Sequence, residues 1–281
     1  ELDSRVKQVF VNAMCQNEPF ISTDYRFILD YYKAISDGVL LLGKGANTKE
    51  MYVIHDKFMP NESLELLKGE LEEKGVKFIS VDSKKVKAFN YLSIDKRVKG
   101  KLKTNLLDSG VLYVSAETAK VVSDCLRKDT GAFETHLTVT GEALNNNSEY
   151  IVKTGTLFEE VIEDLKGYQN VGVVNIHVGN YLSGTQVEGD SFSITETVSS
   201  INVSEYHVQA EDVCIKCGEC NDVCPVGILP QNIMDAELRE INHRIFDLHT
   251  DECIECGLCT YVCPSKINVL EWVRRAMRRT V

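Results

Sequence analysis

CIKCGECNDVCP at residues 214–225 and CIECGLCTYVCP at residues 253–264 decide how one third of this chain folds. We call these stretches the first motif and the second motif. Each has the spacing C-x2-C-x2-C-x3-C-P, and together they supply Cys214, Cys217, Cys220, Cys224, Cys253, Cys256, Cys259 and Cys263. Pro225 and Pro264 end the motifs, where a residue without a backbone N–H turns the chain. Two short runs of cysteines at the same spacing predict a pair of related sites.

The cysteine spacing predicts two [4Fe–4S] clusters, as in bacterial two-cluster ferredoxins. The first three cysteines of a motif wrap one cluster, whereas the fourth points away and ligates the other cluster. One ligand set is therefore Cys214, Cys217, Cys220 and Cys263, and the other is Cys224, Cys253, Cys256 and Cys259. Gly218 and Gly257 are expected to let backbone N–H groups approach the sulfurs.

Two other uses of cysteine fit this pattern less well. Structural zinc favours well-separated C-x2-C pairs rather than four cysteines in a row before a proline. Disulfides are expected in small secreted chains, and this chain is not small and shows no recognisable secretion signal in its sequence. Between the motifs, apolar residues recur at helical spacing over 226–250, which predicts one full helix that shields the clusters.

The composition is that of a globular protein, with 43% hydrophobic and 26% charged residues. The net charge of −11 argues against a nucleic-acid partner and suits a redox protein that meets basic surfaces. No apolar run is long enough to predict a membrane span. Cysteine usage predicts a reducing, anaerobic cytoplasm. The chain begins at Glu1 rather than Met, which suggests a piece of a longer polypeptide.

Residues 1–128 alternate strand and helix patterns, which predicts a Rossmann-like α/β region with a parallel sheet. Strands are predicted at 6–14, 51–57, 76–82 and 109–115, and helices at 61–75 and 116–128. Residues 21–45 are predicted to be a helix followed by an apolar run. Asn61 or Ser63 is the expected N-cap of the 61–75 helix, and Gly75 its end. None of these strands is followed by a phosphate-binding glycine fingerprint.

Residues 129–205 are predicted to form a smaller β-rich module, and residues 206–281 an α-helical two-cluster domain. In the module, strands are expected at 134–144, 149–155 and 171–179, with a helix at 156–168 and a further extended segment at 198–208. A hairpin, a helix and then a strand indicate a ubiquitin-like β-grasp module.

Three stretches, taken in order, resemble the RnfC-like family, which includes the C subunit of the Rnf electron-transport complex. VNAMCQNEPFISTDYRFI resembles the family's N-x-x-E-C-E-P segment, and HLTVTGEALNNNSEYIVKTGTLFEEVIEDLKGY resembles its soluble-ligand-binding β-grasp (SLBB) domain. CIKCGECNDVCPVGILP and ECIECGLCTYVCPSKINVLEWVRRA resemble its dicluster module. The order of the three stretches, rather than any one of them, makes the resemblance specific.

The resemblance implies FMN and NADH sites as well as clusters. The family's N-x-x-E-C-E-P segment helps to bind FMN, and its matches here are Asn12, Glu18 and Asp24. The match has one extra residue between Asn12 and Glu18, and it lacks the first acid. The family's glycine-rich flavin loop would lie upstream of Glu1. From composition alone, residues 12–26 are instead a polar loop with a capped turn.

These patterns predict an electron-transfer protein without a catalytic residue of its own. Electrons would pass through two [4Fe–4S] clusters between a flavin- or NADH-linked donor and a partner reductase or membrane complex. The alternatives are an FMN-dependent NADH:acceptor oxidoreductase and a non-catalytic assembly subunit. The protein is expected in the cytoplasm. In one form of the hypothesis it is attached to the periphery of a membrane complex.

Overall fold

A computed structural model describes residues 5–14, 23–82, 94, 106–128, 131, 133–179, 182, 184–206 and 211–279. The chain divides into two compact units. One comprises residues 1–138, 149–157 and 193–199, and the other comprises residues 139–148, 158–192 and 200–281. The three domains predicted from the sequence, 1–128, 129–205 and 206–281, stay a prediction.

A four-stranded parallel sheet forms the centre of the first unit. Its strands are β1 (Gln8–Asn12), β2 (Met51–Asp56), β3 (Lys77–Val81) and β4 (Val111–Ser115), in the order β3-β2-β1-β4. Neighbouring strands are paired in parallel, with Val11 opposite both Val53 and Val114. The predicted parallel α/β sheet is confirmed. Parallel strands need long crossover connections, and the helices between them provide these.

Three helices belong to this sheet: α1 (Thr23–Gly45), α2 (Asn61–Leu71) and α3 (Ala116–Lys128). Apolar side chains from α1, among them Ile28, Ile35 and Val39, are buried with Val9 and Val11 of β1. A second apolar cluster contains the other side chains of the sheet, Phe10, Ile54 and Ile79. Alternate residues of the strands thus enter two separate cores, as a sheet covered on both faces requires.

Two local predictions in this unit are wrong. The apolar run that was expected to follow a helix is part of α1, which continues without a break to Gly45. The N-cap of α2 is Pro60 rather than Asn61 or Ser63, and no side chain caps the helix there. Pro60 has the extended φ and ψ of −54° and 134° that a cap position needs. Gly75 ends the following 3₁₀ turn in the left-handed region, as predicted.

A second sheet contains β5 (Glu134–Thr140), β6 (Ser148–Lys153), β7 (Val174–Val178), β8 (Thr185–Val187) and β9 (Ser200–Glu205). Strand β7 pairs antiparallel with both β8 and β9. Helix α4 (Phe158–Asp164) lies between β6 and β7 in the chain. Strand β8 has only three residues, and the sequence pattern did not predict it.

Short helices follow in the cluster-motif region: α5 (Glu219–Asp222), α6 (Pro230–Leu238), α7 (Asn242–Asp247), α8 (Leu258–Tyr261) and α9 (Val269–Arg278). The single helix predicted between the motifs is wrong, because α6 and α7 are separate. Glu240 has a φ of 57°, and the Ile241 amide donates to the Ala236 carbonyl, which closes α6. Apolar residues at helical spacing do enter one core, as the pattern indicates. They come from two helices, however, with Ile233 on α6 and Ile245 on α7.

Candidate functional site

Two cavities in the cluster-motif region are each lined by four cysteines. The open cavity contains Cys214, Cys217, Cys220 and Cys263, and it includes about 340 Å³ of empty space, part of it open to solvent. The covered cavity, named for a backbone contact at Gly257 described below, contains Cys224, Cys253, Cys256 and Cys259. It includes about 330 Å³ of empty space, part of it also open to solvent. Each cavity therefore takes three cysteines from one motif and the fourth cysteine from the other.

The two motifs have nearly the same backbone. Gly218 and Gly257 lie just before the helices α5 and α8, with φ of 84° and 77°. Two residues earlier, Lys216 and Glu255 are also in the left-handed region, with φ of 57° and 51°. A left-handed residue turns the chain sharply, so the first three cysteines of each motif lie around one space. The repeated spacing thus produces a repeated loop.

Exposure to solvent distinguishes the two loops. In the first motif Cys217 is exposed and Ile215 is 68% exposed. In the second motif Cys256 is only partly exposed, and Cys259 is 9% exposed. The same loop is therefore more exposed to solvent in the first motif than in the second.

A backbone contact at Gly257 accounts for part of this difference. A Cβ atom at Gly257 would lie 1.8 Å from the carbonyl oxygen of Leu182, which leaves room for glycine only. A Cβ atom at Gly218 would meet nothing within 4 Å. The sequence predicts a backbone role for Gly257 from its position among the cysteines. It does not predict the contact with the Leu182 carbonyl. The name "covered cavity" refers to this contact.

Burial changes the acidity of several of these thiols. It raises the pKa of Cys253 to about 11 and that of Cys259 to about 12, because the thiolate is poorly solvated. Burial also raises the pKa of Cys220 and of Cys256. A bound metal reverses this preference, since its positive charge keeps a coordinating thiol deprotonated.

The donor set of both cavities fits an iron–sulfur cluster. Thiolates are the ligands of such clusters, and most other lining side chains are apolar, including Ile228 and Leu270 in the covered cavity. Within the described parts of the chain, no three or more His, Cys, Asp or Glu side chains converge closely enough to hold a single metal ion. The thiols instead surround spaces, as the ligands of a cluster do.

Charged groups also differ between the motifs. Glu255 accepts a hydrogen bond from the Nε of Arg274 on α9 at 2.5 Å. Its own amide donates to the sulfur of Cys253 at 3.4 Å. At the matching position of the first motif, Lys216 is exposed. The second motif is thus tied to α9 by a partly buried ion pair that the sequence pattern did not reveal.

The residues predicted to bind flavin are only partly placed. Asn12 ends β1 and is 3% exposed, and its Oδ1 accepts from the Met14 amide at 3.0 Å. Its Nδ2 has no hydrogen-bond partner among the residues that the structure describes. Asp24 lies in the first turn of α1, and Glu18 is outside the described residues. The carboxyl end of β1 therefore holds a buried amide whose Nδ2 donor is unused within the part of the chain that the structure describes.

Comparison with known proteins supports the cluster site first. Residues 213–267 match the model of the 4Fe-4S dicluster domain. The match includes both motifs and confirms the prediction of two [4Fe–4S] clusters. The assignment of individual cysteines to each cluster stays a prediction.

Curated relatives are the C subunits of ion-translocating complexes. The C subunit of the ion-translocating oxidoreductase complex of Haemophilus influenzae is 25% identical over 82% of this chain and 36% of that protein. The protein of the same name from Methanosarcina acetivorans is 34% identical over 45% of this chain and 28% of that protein. The C subunit of the Na(+)-translocating ferredoxin:NAD(+) oxidoreductase complex of Acetobacterium woodii is 22% identical over 85% of this chain and 55% of that protein. The resemblance to the RnfC-like family is confirmed.

The chain spans about half, or less, of the length of these relatives. Its fold also resembles a chain in the crystal structure of the NAD+-reducing [NiFe]-hydrogenase in the air-oxidized state. That likeness has a TM-score of 0.60 with 9% identity, and it covers 97% of this chain and 55% of the other. At this identity the likeness concerns the fold alone. Among the described residues, no helix is both long and apolar enough to cross a membrane.

Proposed function

We propose that the chain passes electrons between a flavin- or NADH-linked donor and a partner reductase or membrane complex, as a component located in the cytoplasm. The observation that carries the proposal is the pair of cavities with four thiols each, built by exchange of one cysteine between the motifs. When bound, a [4Fe–4S] cluster accepts and gives up one electron at a time.

The residues of the chain have separate tasks in this proposal. Cys214, Cys217, Cys220 and Cys263 hold one cluster, and Cys224, Cys253, Cys256 and Cys259 hold the other. Apolar residues such as Met234 and Ile267 exclude water from the open cavity, and Ile228 and Val273 do so in the covered cavity. Exclusion of water and hydrogen bonds to sulfur set the reduction potential. The chain thus fixes the position and potential of the clusters.

Iron and sulfide analysis of the anaerobically purified protein tests the proposal. We expect about eight iron and eight acid-labile sulfide per chain, because eight thiolates ligate two clusters. Reduction with dithionite should bleach the visible absorbance and give EPR signals. Four iron per chain, or zinc in place of iron, contradicts the ligand assignment. Clusters that form but are never reduced favour the alternative of a non-catalytic assembly subunit.

A second candidate function is an FMN-dependent NADH:acceptor oxidoreductase. The buried Asn12, whose Nδ2 is unused among the described residues, lies where open α/β sheets bind ligands. The family resemblance adds Glu18 and Asp24 to this site. It also implies that residues 129–205 form an SLBB β-grasp module. In this hypothesis the Asn12 amide donates to the flavin, and Glu18 accepts a hydrogen bond from it.

Flavin content separates the two functions. Glu18→Gln retains the shape of the side chain and removes its charge, so we expect it to weaken FMN binding or change the flavin potential. Iron content in the same sample should not change. Flavin extraction and cluster absorbance measure both. A protein that binds no FMN even when extended upstream of Glu1 is a cluster relay alone.

A further inference from the structure

Apolar side chains at the start of the first motif and just before it are exposed to water beside the open cavity. Val213 is 86% exposed, and Ile215, which lines the cavity, is 68% exposed. Their backbone is fixed, because the Asp212 amide donates to the Ser265 carbonyl at 3.0 Å. The Ser265 hydroxyl in turn donates to the Val213 carbonyl at 3.1 Å. Neighbouring apolar side chains on a fixed, exposed segment favour contact with another molecule.

Carboxylates accompany these apolar side chains. Residues 211–222 contain four acidic side chains and one basic side chain, a net charge of −3. The acidic residues are all exposed or partly exposed: Glu211, Asp212, Glu219 and Asp222. The basic residue is Lys216. A mostly acidic segment with an apolar centre is complementary to a basic surface with an apolar centre.

The second motif exposes different apolar side chains: Ile254, the equivalent of Ile215, is only partly exposed, whereas Tyr261 is 69% exposed. It is also acidic, since residues 250–261 contain Asp251, Glu252 and Glu255 and no basic residue. Charge alone therefore does not separate the motifs. The Leu182 carbonyl lies against Gly257, however, and Cys256 is less exposed than Cys217. The rate of electron transfer falls steeply with the distance between two redox centres. A partner that contacts the exposed Cys217 would therefore come closer to a cluster than one that contacts the second motif.

We infer that residues 211–219, the docking face, bind a redox protein whose own centre lies at an apolar edge bordered by lysine or arginine side chains. This inference rests on the proposed function and adds the site and the class of the partner. One electron moves between the cluster in the open cavity and the partner's centre. One centre is oxidised by one electron and the other is reduced by one, and no bond or proton changes.

Ferricytochrome c is a suitable probe, because it is a basic one-electron acceptor with lysines around an apolar haem edge. Its binding to the cluster-loaded full chain is measured at low salt by surface plasmon resonance. Transfer from the dithionite-reduced protein is followed in a stopped-flow instrument as ferric haem becomes ferrous. Binding is a readout that does not depend on the transfer step.

Asp212→Lys is the test variant and Asp251→Lys is its matched control. Both aspartates are exposed, both precede the first cysteine of a motif by two residues, and both changes alter the net charge equally. We expect Asp212→Lys to weaken binding about tenfold and to slow transfer similarly, and Asp251→Lys to do so by less than about twofold. Ile215→Gln should weaken binding about fivefold at high salt, where charge is screened.

Three results would overturn the inference. Equal effects of Asp212→Lys and Asp251→Lys mean that the probe responds only to net charge. A concentration-dependent dimer that Ile215→Gln abolishes means that a second copy of the chain occupies the docking face. Clusters that dithionite does not reduce defeat the proposed function and the inference with it. Reducible clusters with equal variant effects defeat the inference alone.

Discussion

The first and second motifs show how one cysteine pattern acquires two environments. Their cysteines have the same spacing, and their loops have left-handed residues at the same positions. Cys217 is exposed in the first loop, whereas the equivalent Cys256 is only partly exposed in the second. Local sequence therefore determines the shape of each loop. The rest of the unit determines how much solvent the loop meets.

Removal of the exchanged cysteines has the largest expected effect on this comparison. Cys263→Ala should destroy the cluster of the open cavity, and Cys224→Ala that of the covered cavity, each with loss of about four iron. EPR spectra show which cluster is lost, because two variants that each lack a ligand of the same cluster should give similar spectra. Cys263→Ala should resemble Cys217→Ala, and Cys224→Ala should resemble Cys256→Ala. If each variant instead resembles a cysteine variant of its own motif, the exchange is wrong.

Alanine at the two glycines measures the effect of the covering contact. Gly218→Ala and Gly257→Ala both place a side chain in the left-handed region, which costs about 1 kcal/mol. Only Gly257→Ala also meets the Leu182 carbonyl. We expect the free energy of unfolding to fall by about 1 kcal/mol for Gly218→Ala and by about 2–4 kcal/mol for Gly257→Ala.

The midpoint of cluster bleaching in guanidinium chloride, measured without oxygen, reports this difference. Gly257→Ala should also lose the cluster of the covered cavity faster when a chelator is added. Equal midpoints for the two variants would show that Leu182 does not constrain the second motif.

A smaller effect is expected from the charged residues between the first two cysteines of each motif. Glu255→Gln removes a carboxylate that pairs with Arg274 on α9, at a cost of about 0.5–1 kcal/mol. Lys216→Gln changes an exposed side chain and should cost less than about 0.5 kcal/mol. Chelator bleaching of the covered cavity should therefore be about two- to fivefold faster in Glu255→Gln. If Glu255→Gln bleaches at the same rate as the unaltered protein, the ion pair does not protect the covered cavity. The Gly257 contact would then be the remaining explanation for the difference between the motifs.

Sequence alone predicted those features that depend on local spacing. The exchange of Cys224 and Cys263 is predicted from the two-cluster ferredoxin spacing. As a ligand assignment it stays a prediction, although the cavities group the cysteines in the same way. The parallel sheet likewise follows from alternating strand and helix patterns. Both features join distant residues, but each has a recognisable sequence pattern, so neither required knowledge of an individual tertiary contact.

Other features depend on residues that are distant in the chain. The contact between Leu182 and Gly257 joins segments with no common pattern, and a glycine in the left-handed region already had a local explanation. The break between α6 and α7 occurs at Glu240, which has a positive φ. Because this residue is not a glycine, the sequence gives no local signal of the break. Strand β8 is too short to show an alternating pattern. Tertiary packing decides such details, and a single sequence does not display it.

The exchange of cysteines also sets the order in which a growing chain can complete its two cavities. The first motif leaves the ribosome first, yet its three leading thiols lack Cys263, and Cys224 has no partners until Cys253 and the following cysteines are made. The covered cavity is complete at Cys259, before the open one. A chain released between the motifs carries the four thiols of the first motif and no complete site. The open cavity therefore cannot be complete until the whole second motif, up to Cys263, has been made.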